Sequence, residues 1–269
     1  MSWRRIWALN RRQLYVMRRS FARITDLFYW PLVDLFFFGF LSLYLGRREG
    51  AIGIVGLLLS ALILWDVFFR VQHGISISFL MELWTRNLIN LFVTPITVRE
   101  FLAAMMVWGL IKISITATLM TALAYLLYRF NLFVLGLSLV PLLLALIVFA
   151  WAVGTVVTAL ILRYGQSVEV LAWSLPFLFQ PFGAVFFPLS VYPAWLQGPL
   201  QLQPLPHIFE AMRAVIAGRA LPLDRVAWAF ILDAAYLAIA FAFFGYMFSL
   251  ARQRGCCSRC RSRLRRVMN

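Results

Sequence analysis

The stretch FLMELWTRNLINLFVTPITVREF, residues Phe79–Phe101, separates two hydrophobic runs, Ala51–Val71 and Leu102–Leu127, each long enough to cross a bilayer. The stretch itself is too polar to cross. Its apolar residues recur at spacings of three and four, which predicts a helix with one apolar side. The apolar side would carry Leu80, Leu83, Trp84, Leu88, Leu91 and Phe92, and the polar side Glu82, Thr85, Arg86 and Asn90.

Two signals bound this amphipathic helix. Pro95 is expected to end it, and Thr97 is expected to cap the next helix, with Glu100 as the capping-box partner three residues later. A short amphipathic helix at the mouth of two membrane helices suits a docking surface for a partner. An interfacial helix that only anchors the loop fits the same residues equally well.

Composition identifies a membrane protein. Hydrophobic residues make up 63% of the chain and charged residues 13%, whereas soluble domains average about 45–50% and about 25%. The net charge of +15 would suggest nucleic-acid binding only if the basic residues lay on a soluble domain. They gather instead at the two ends of the chain, next to membrane segments, so the expected environment is the lipid bilayer and not nucleic acid.

The predicted fold is an all-α polytopic membrane protein with six transmembrane helices. The spans are expected at about 24–45, 51–71, 102–127, 132–162, 168–187 and 226–250. Residues 1–23 read as a basic amphipathic interfacial helix, and residues 251–269 as a basic cytoplasmic tail. Two short helices, Ala194–Leu202 and Pro206–Ala217, are expected on the surface or re-entrant before the sixth span.

The distribution of basic residues predicts the orientation. With six spans, eighteen basic residues lie on the side of the termini and six on the opposite side. The positive-inside rule therefore predicts a multi-pass protein of the cell (inner) membrane with both termini in the cytoplasm. The Phe79–Phe101 stretch would lie on the same side.

The chain lacks the common catalytic patterns. Lys112 is the single lysine and follows no glycine-rich loop, so no phosphate-binding loop for ATP exists in this chain. Cys256, Cys257 and Cys260 are one ligand short of a structural zinc site unless a second copy supplies it. We therefore expect no enzyme activity, no metal and no cofactor in this chain.

Charged residues inside the predicted spans suggest a second hypothesis, an interaction between charges within the membrane. Asp34 and Lys112 lie about 12 Å and about 16 Å inside their cytoplasmic boundaries, so we expect them to interact. The pair would serve either as a substrate path or moving contact, or as static contact between helices. Asp233 is a third such charge, in the last span.

Two further ion pairs are predicted from spacing alone. Asp66 and Arg70 are four residues apart in the second span, and Glu210 and Arg213 three apart on the second short helix. His207 lies one turn before Glu210. These three residues of the outer short helix suit a capped surface helix as well as a ligand site.

Three segments carry a resemblance to a known family. They are Asp26-Leu27-Phe28-Tyr29-Trp30-Pro31 after a basic amphipathic start, Glu82-Leu83-Trp84-Thr85-Arg86-Asn87-Leu88 through Thr94-Pro95-Ile96, and Leu205-Pro206-His207-Ile208-Phe209-Glu210-Ala211-Met212-Arg213. In this order around six spans, they resemble the membrane subunit of a type-2 ABC transporter, an exporter permease for drugs, lipids or lipid-linked glycans. The resemblance covers nearly the whole chain but leaves the Arg- and Cys-rich tail unexplained.

The resemblance implies partners. It implies a homo- or heterodimer of permease chains joined by two copies of a separate ABC ATPase subunit, which would hold ATP and Mg²⁺. The loop between spans two and three would be the cytoplasmic coupling helix, here Leu80–Phe92. The alternative from the residues alone is an ion-coupled secondary transporter that uses Asp34, Lys112 and Asp233 as a relay.

Overall fold

The computed structural model describes residues 2–49, 52–85 and 96–267, and this part of the chain is helical without β-strands. The α-helices are α1 Trp3–Arg18, α2 Phe21–Glu49, α3 Ile52–Trp84, α4 Val98–Tyr128, α5 Leu139–Tyr164, α6 Glu169–Phe182, α7 Ala194–Leu200, α8 Pro204–Ile216 and α9 Leu223–Val267. Short 3₁₀ helices occupy Leu132–Ser138, Gly165–Val168 and Leu189–Val191.

The predicted class, an all-α polytopic membrane protein, is confirmed. Within the described residues, five stretches are long and apolar enough to span: Arg23–Gly46, Val55–Trp84, Glu100–Tyr128, Leu132–Phe182 and Leu223–Leu250. The fourth stretch contains both α5 and α6, where the sequence predicts two spans. Six spans therefore remain a prediction, and α6 alone, with 14 residues, extends about 21 Å.

Several boundaries match the predictions. The N-terminal amphipathic helix is α1, and the two short helices before the last span are α7 and α8. Pro141 lies in the first turn of α5, where a proline is tolerated because its missing N–H has no partner in the helix. The Thr97–Glu100 capping box is present at the start of α4.

The second span differs from its prediction. The prediction of a separate helix that begins at Leu80 is wrong, because α3 continues unbroken to Trp84 over 33 residues. The end of the membrane span at about Val71 stays a prediction. No proline interrupts this region, and Phe79 and Leu80 are buried against residues of α1 and α4. Packing contacts therefore extend the helix beyond the length that the hydrophobic run alone predicts.

Helices α3, α4 and α5 cross at glycines. A Cβ on Gly74 of α3 would lie 2.5 Å from the Cα of Gly109 in α4, closer than real contacts allow. A Cβ on Gly154 of α5 would lie 3.1 Å from the carbonyl oxygen of Gln72. The absence of side chains at these positions allows α4 and α5 to pack closely against α3.

Helix α9 packs along α5 and then continues into the basic tail, reaching Val267. The sequence predicts a boundary between span and tail at Leu250, but the backbone shows no break there. The side chains of Cys256, Cys257 and Cys260 lie outside the described residues.

Candidate functional site

The two helix ends that flank residues 86–95 are tied to α1. Glu82, near the end of α3, forms an ion pair with Arg12 and accepts a hydrogen bond from Gln13 Nε2 at 3.2 Å. Glu100, at the start of α4, accepts from the main-chain N–H of Ser2 at 2.6 Å and from Arg5 Nη1 at 3.3 Å. The N-terminal region around α1 thus contacts both the end of α3 and the start of α4, which we call the two stems of the predicted coupling segment.

Apolar contacts complete this attachment. Ile6 and Leu9 of α1 are buried, and they pack in one cluster with Phe79 and Leu80 of α3 and Phe101 of α4. Glu100 also accepts from the N–H of Thr97 at 3.0 Å, so its carboxylate serves both the helix cap and α1. A displacement of either stem must therefore move α1 or break these contacts.

Trp84 extends the connection to α6. Its indole N–H donates to Glu169 Oε2 at 3.2 Å, and Glu169 is the first residue of α6. The Trp84 side chain remains 40% exposed. The end of α3 therefore touches α1 on one side and α6 on another, while the Trp84 ring stays accessible.

The predicted docking residues fall into three groups. Leu80 and Glu82 are buried inside the bundle, and Leu83 is partly buried against the same cluster. Trp84 is exposed. Arg86, Leu88, Leu91 and Phe92 lie outside the described residues. Among residues 80–84, the part of the predicted docking helix that the structure describes, Leu80 is covered by contacts with α1, and Trp84 is the docking residue that is exposed.

A second feature is a cavity of about 350 Å³ between α2, α3 and α6. Asp34 of α2 and Asp66 and Arg70 of α3 line it. Arg70 Nε donates to both carboxylate oxygens of Asp66, at 2.8 and 2.9 Å, which confirms the predicted i, i+4 pair. Asp34 lies near Arg70 and is exposed to the cavity.

His73 separates this cavity from a smaller one. Its Nε2 lies 3.0 Å from the carbonyl oxygen of Ala172 in α6. A carbonyl oxygen only accepts, so Nε2 carries a proton and donates it to Ala172. The imidazole ring also packs edge-on against Phe69 and Trp173.

The smaller cavity, of about 90 Å³, lies at the α1 end and is lined by Lys112 and Arg23. Arg70, His73 and Trp173 line both cavities, which makes them adjoining spaces. Asp34 and Lys112 thus occupy neighbouring cavities, and their direct interaction stays a prediction.

Asp233 lies elsewhere, on α9. Its side chain is buried, and neither carboxylate oxygen has a hydrogen-bond partner among the described residues. It lines neither of the two cavities. The arrangement therefore does not bring Asp233 together with Asp34 and Lys112.

On α8, the short helix that the sequence places at the outer face, the charged side chains bind each other and the main chain. Arg213 pairs with Glu210 at 3.1 Å, as predicted, and donates to the main-chain carbonyls of Ala184, Val185 and Phe187. Burial lowers the pKa of Arg213, and the nearby Glu210 opposes this shift.

Glu210 and His207 also bind main-chain groups. Glu210 accepts the N–H of Leu189 at 2.8 Å, and His207 Nε2 lies 2.9 Å from the carbonyl oxygen of Gln201. Glu210 thus holds the loop after α6, and His207 contacts the turn between α7 and α8, which accounts for both side chains without a ligand.

Sequence reasoning recognised the Asp66–Arg70 pair but not the cavity that it lines. Asp66, Arg70 and His73 are spaced i, i+4, i+7, so they share one side of α3. Three polar residues on one side of an apolar span are a signal for a polar cavity. Trp30, Trp173 and Phe177, which complete the aromatic lining, come from α2 and α6, and no local pattern connects them with α3.

Comparison with known proteins agrees with this architecture. Residues 4–217 match the family model ABC-2 type transporter, from the start of α1 to the end of α8. No curated protein matches the chain. Chains of this family are transport subunits that generally work with a partner ABC ATPase, on which ATP hydrolysis occurs, and generally act as dimers. Because the match spans most of the sequence and the helices fit it, this chain belongs to the ABC-2 type transporter family as a multi-pass permease subunit.

Proposed function

We propose that this chain is the permease of an ATP-driven exporter that moves a drug-like, lipid or lipid-linked glycan substrate out of the cytoplasm or inner leaflet. Two copies of a separate ATPase subunit, which hold ATP and Mg²⁺, would supply the energy to a homo- or heterodimer of permeases. The protein would lie in the cell (inner) membrane with both termini in the cytoplasm.

The observation that supports this proposal is the attachment of α1 to both stems of the segment between α3 and α4. Force applied to residues 86–95 by a bound ATPase would reach α3 and α4 directly. It would reach α1 through Glu82 and Glu100, and α6 through the Trp84–Glu169 hydrogen bond. A segment that only anchored a loop would not require the helix ends beside it to contact α1 and α6.

The charge distribution supports the proposed side of the membrane. Helix α1, which carries most of the basic residues of the N-terminal region, packs at the end of the bundle where α3 ends and α4 begins. Arginine-rich helices favour the anionic cytoplasmic leaflet. The proposed docking surface and α1 would therefore face the cytoplasm together.

The test is co-purification of the tagged full-length chain from its native membrane, followed by measurement of vanadate-sensitive ATP hydrolysis. Trp84→Glu should lose most of the co-eluting activity, because it removes the exposed indole and sets a second carboxylate beside Glu169. Trp84→Phe, which loses the bond to Glu169 but keeps an aromatic ring, should retain more. Trp195→Glu, at an exposed tryptophan on α7, is the matched control and should behave as wild type.

The ion-coupled alternative makes the opposite forecast. No ATPase would co-elute, and neutralising Asp34, Lys112 or Asp233 would each abolish proton- or sodium-driven uptake. The position of Asp233, outside the two cavities that Asp34 and Lys112 line, disfavours a relay through all three.

A further inference from the structure

The cavity between α2, α3 and α6 has a wall of aromatic rings. Phe177 lies 5.2 Å from Phe69 between ring centroids, Phe69 lies 4.1 Å from His73, and His73 lies 5.1 Å from Trp173. Trp30 and Trp65 face the same space from α2 and α3. These rings form a continuous lining along α3 and α6.

The lining of this cavity has more acidic than basic side chains. Asp66 and Arg70 form a closed pair through the two short bonds from Nε, so their charges cancel. The Asp34 carboxylate remains, and the ion pairs found in the described part of the chain do not include it. With two carboxylates and one guanidinium, the cavity has a net charge of −1 when these groups are ionised.

A carboxylate at this depth must face water, a partner or a ligand, because exposure to hydrocarbon costs at least a few kcal/mol. Asp34 is exposed to the cavity, so the cavity is the place where a compensating charge would sit. Its volume of about 350 Å³ is in the range of sites for small organic molecules.

The geometry points to a binding site for a lipophilic organic cation, whose charge would face Asp34 while its apolar body contacts the aromatic rings. Faces of tryptophan and phenylalanine attract cations, and this attraction strengthens away from water. An organic anion would be repelled by the Asp34 carboxylate. The adjoining cavity, where Lys112 and Arg23 supply positive charge, has only about 90 Å³ and is too small for such a molecule.

This inference rests on the proposed transport function and names the substrate class for it. Binding to the isolated chain does not require the ATPase, so the two can fail separately. An ATPase that co-elutes with a permease that binds no cation would refute the substrate class alone. Cation binding without any co-eluting ATPase would instead refute the ATP-driven mechanism.

The probes for the test are tetraphenylphosphonium and tetraphenylborate, which have nearly the same size and shape and opposite charge. Binding of each to the purified full-length chain in detergent is measured by equilibrium dialysis. We expect saturable binding of tetraphenylphosphonium, weakened by about tenfold or more in Asp34→Asn. Asp34→Glu, which keeps the charge, should stay within about threefold of wild type.

Asp224→Asn is the matched control, because it removes the same charge from an exposed position at the start of α9. It should bind tetraphenylphosphonium as wild type does. Tetraphenylborate should bind weakly to the wild type and no more weakly to Asp34→Asn.

Equal or tighter binding of tetraphenylborate would overturn the proposal, and so would unchanged tetraphenylphosphonium binding in Asp34→Asn. Loss of binding when the chain dimerises would also overturn it, because a second permease copy would then cover Asp34.

Discussion

Arg213 of α8 offers the sharpest test of how the loop after α6 is held, because one buried side chain makes most of the contacts with this loop. It donates to Glu210 and to the carbonyls of Ala184, Val185 and Phe187, with only 9% of its side chain exposed. Replacement by methionine keeps the apolar volume of the stem but removes every one of these bonds. We therefore expect the loop after α6 to open more often in Arg213→Met than in the wild type.

The magnitude follows from the environment. Removing one partner of a buried ion pair costs about 3–5 kcal/mol, and Glu210, with 19% of its side chain exposed, can recover part of this by reaching water. We take about 3 kcal/mol for Arg213→Met, which is about 150-fold in an opening equilibrium. Glu210→Gln keeps an acceptor for both Leu189 and Arg213, so it should cost about 1 kcal/mol, or about fivefold.

The assay is maleimide labelling of Val185→Cys in a background where the three native cysteines are serine. Val185 is fully buried, so the thiol reacts only when the loop opens, and the labelling rate reports the open population. The double variant should open less than the sum of the two singles, because both remove the same pair. An effect of Glu210→Gln that equals or exceeds that of Arg213→Met would refute the reasoning, as would strictly additive effects.

Three further predictions concern packing, charge and orientation. Gly74→Val should reduce the folded yield severely, because its Cβ would fall 2.5 Å from the Gly109 Cα. Gly198→Val is the control, because a Cβ at Gly198 would meet open space. Equal yields of the two variants would contradict the close crossing of α3 and α4. In the absence of a bound cation, Asp34→Asn combined with Lys112→Met should be milder on folded yield than the two singles together, because the two charges offset each other across adjoining cavities. Additive losses would show that the two groups are independent. The tail cysteines should react with an impermeant maleimide only from the cytoplasmic face of sealed vesicles, and reaction from the outer face would disprove the predicted orientation.

Contacts within one helix could be predicted from the sequence. The Thr97–Glu100 capping box and the Asp66–Arg70 and Glu210–Arg213 pairs depend only on spacings of three and four residues, which helix geometry brings together. The helical class and the two short helices before the last span follow from periodicity and proline placement in the same way.

Contacts between helices could not be predicted. Gln13 and Glu82 are separated by 69 residues and Trp84 and Glu169 by 85, and only the packing of the bundle brings them together. The same applies to Leu80. The local sequence places it on the apolar side of a docking helix, but in the folded chain α1 covers it. The cavity near Asp34 is formed by three helices, so no single helix predicts its complete aromatic wall.

The most direct test of the central claim is photo-crosslinking from position 84 in the native membrane. A benzoylphenylalanine replacing Trp84 should form an adduct with a protein that contains an ATP-binding phosphate loop, identified by mass spectrometry, while the same residue replacing Trp195 should not. That result would place the ATPase against the end of α3. Absence of an ATPase adduct at position 84, together with one at position 195, would contradict it.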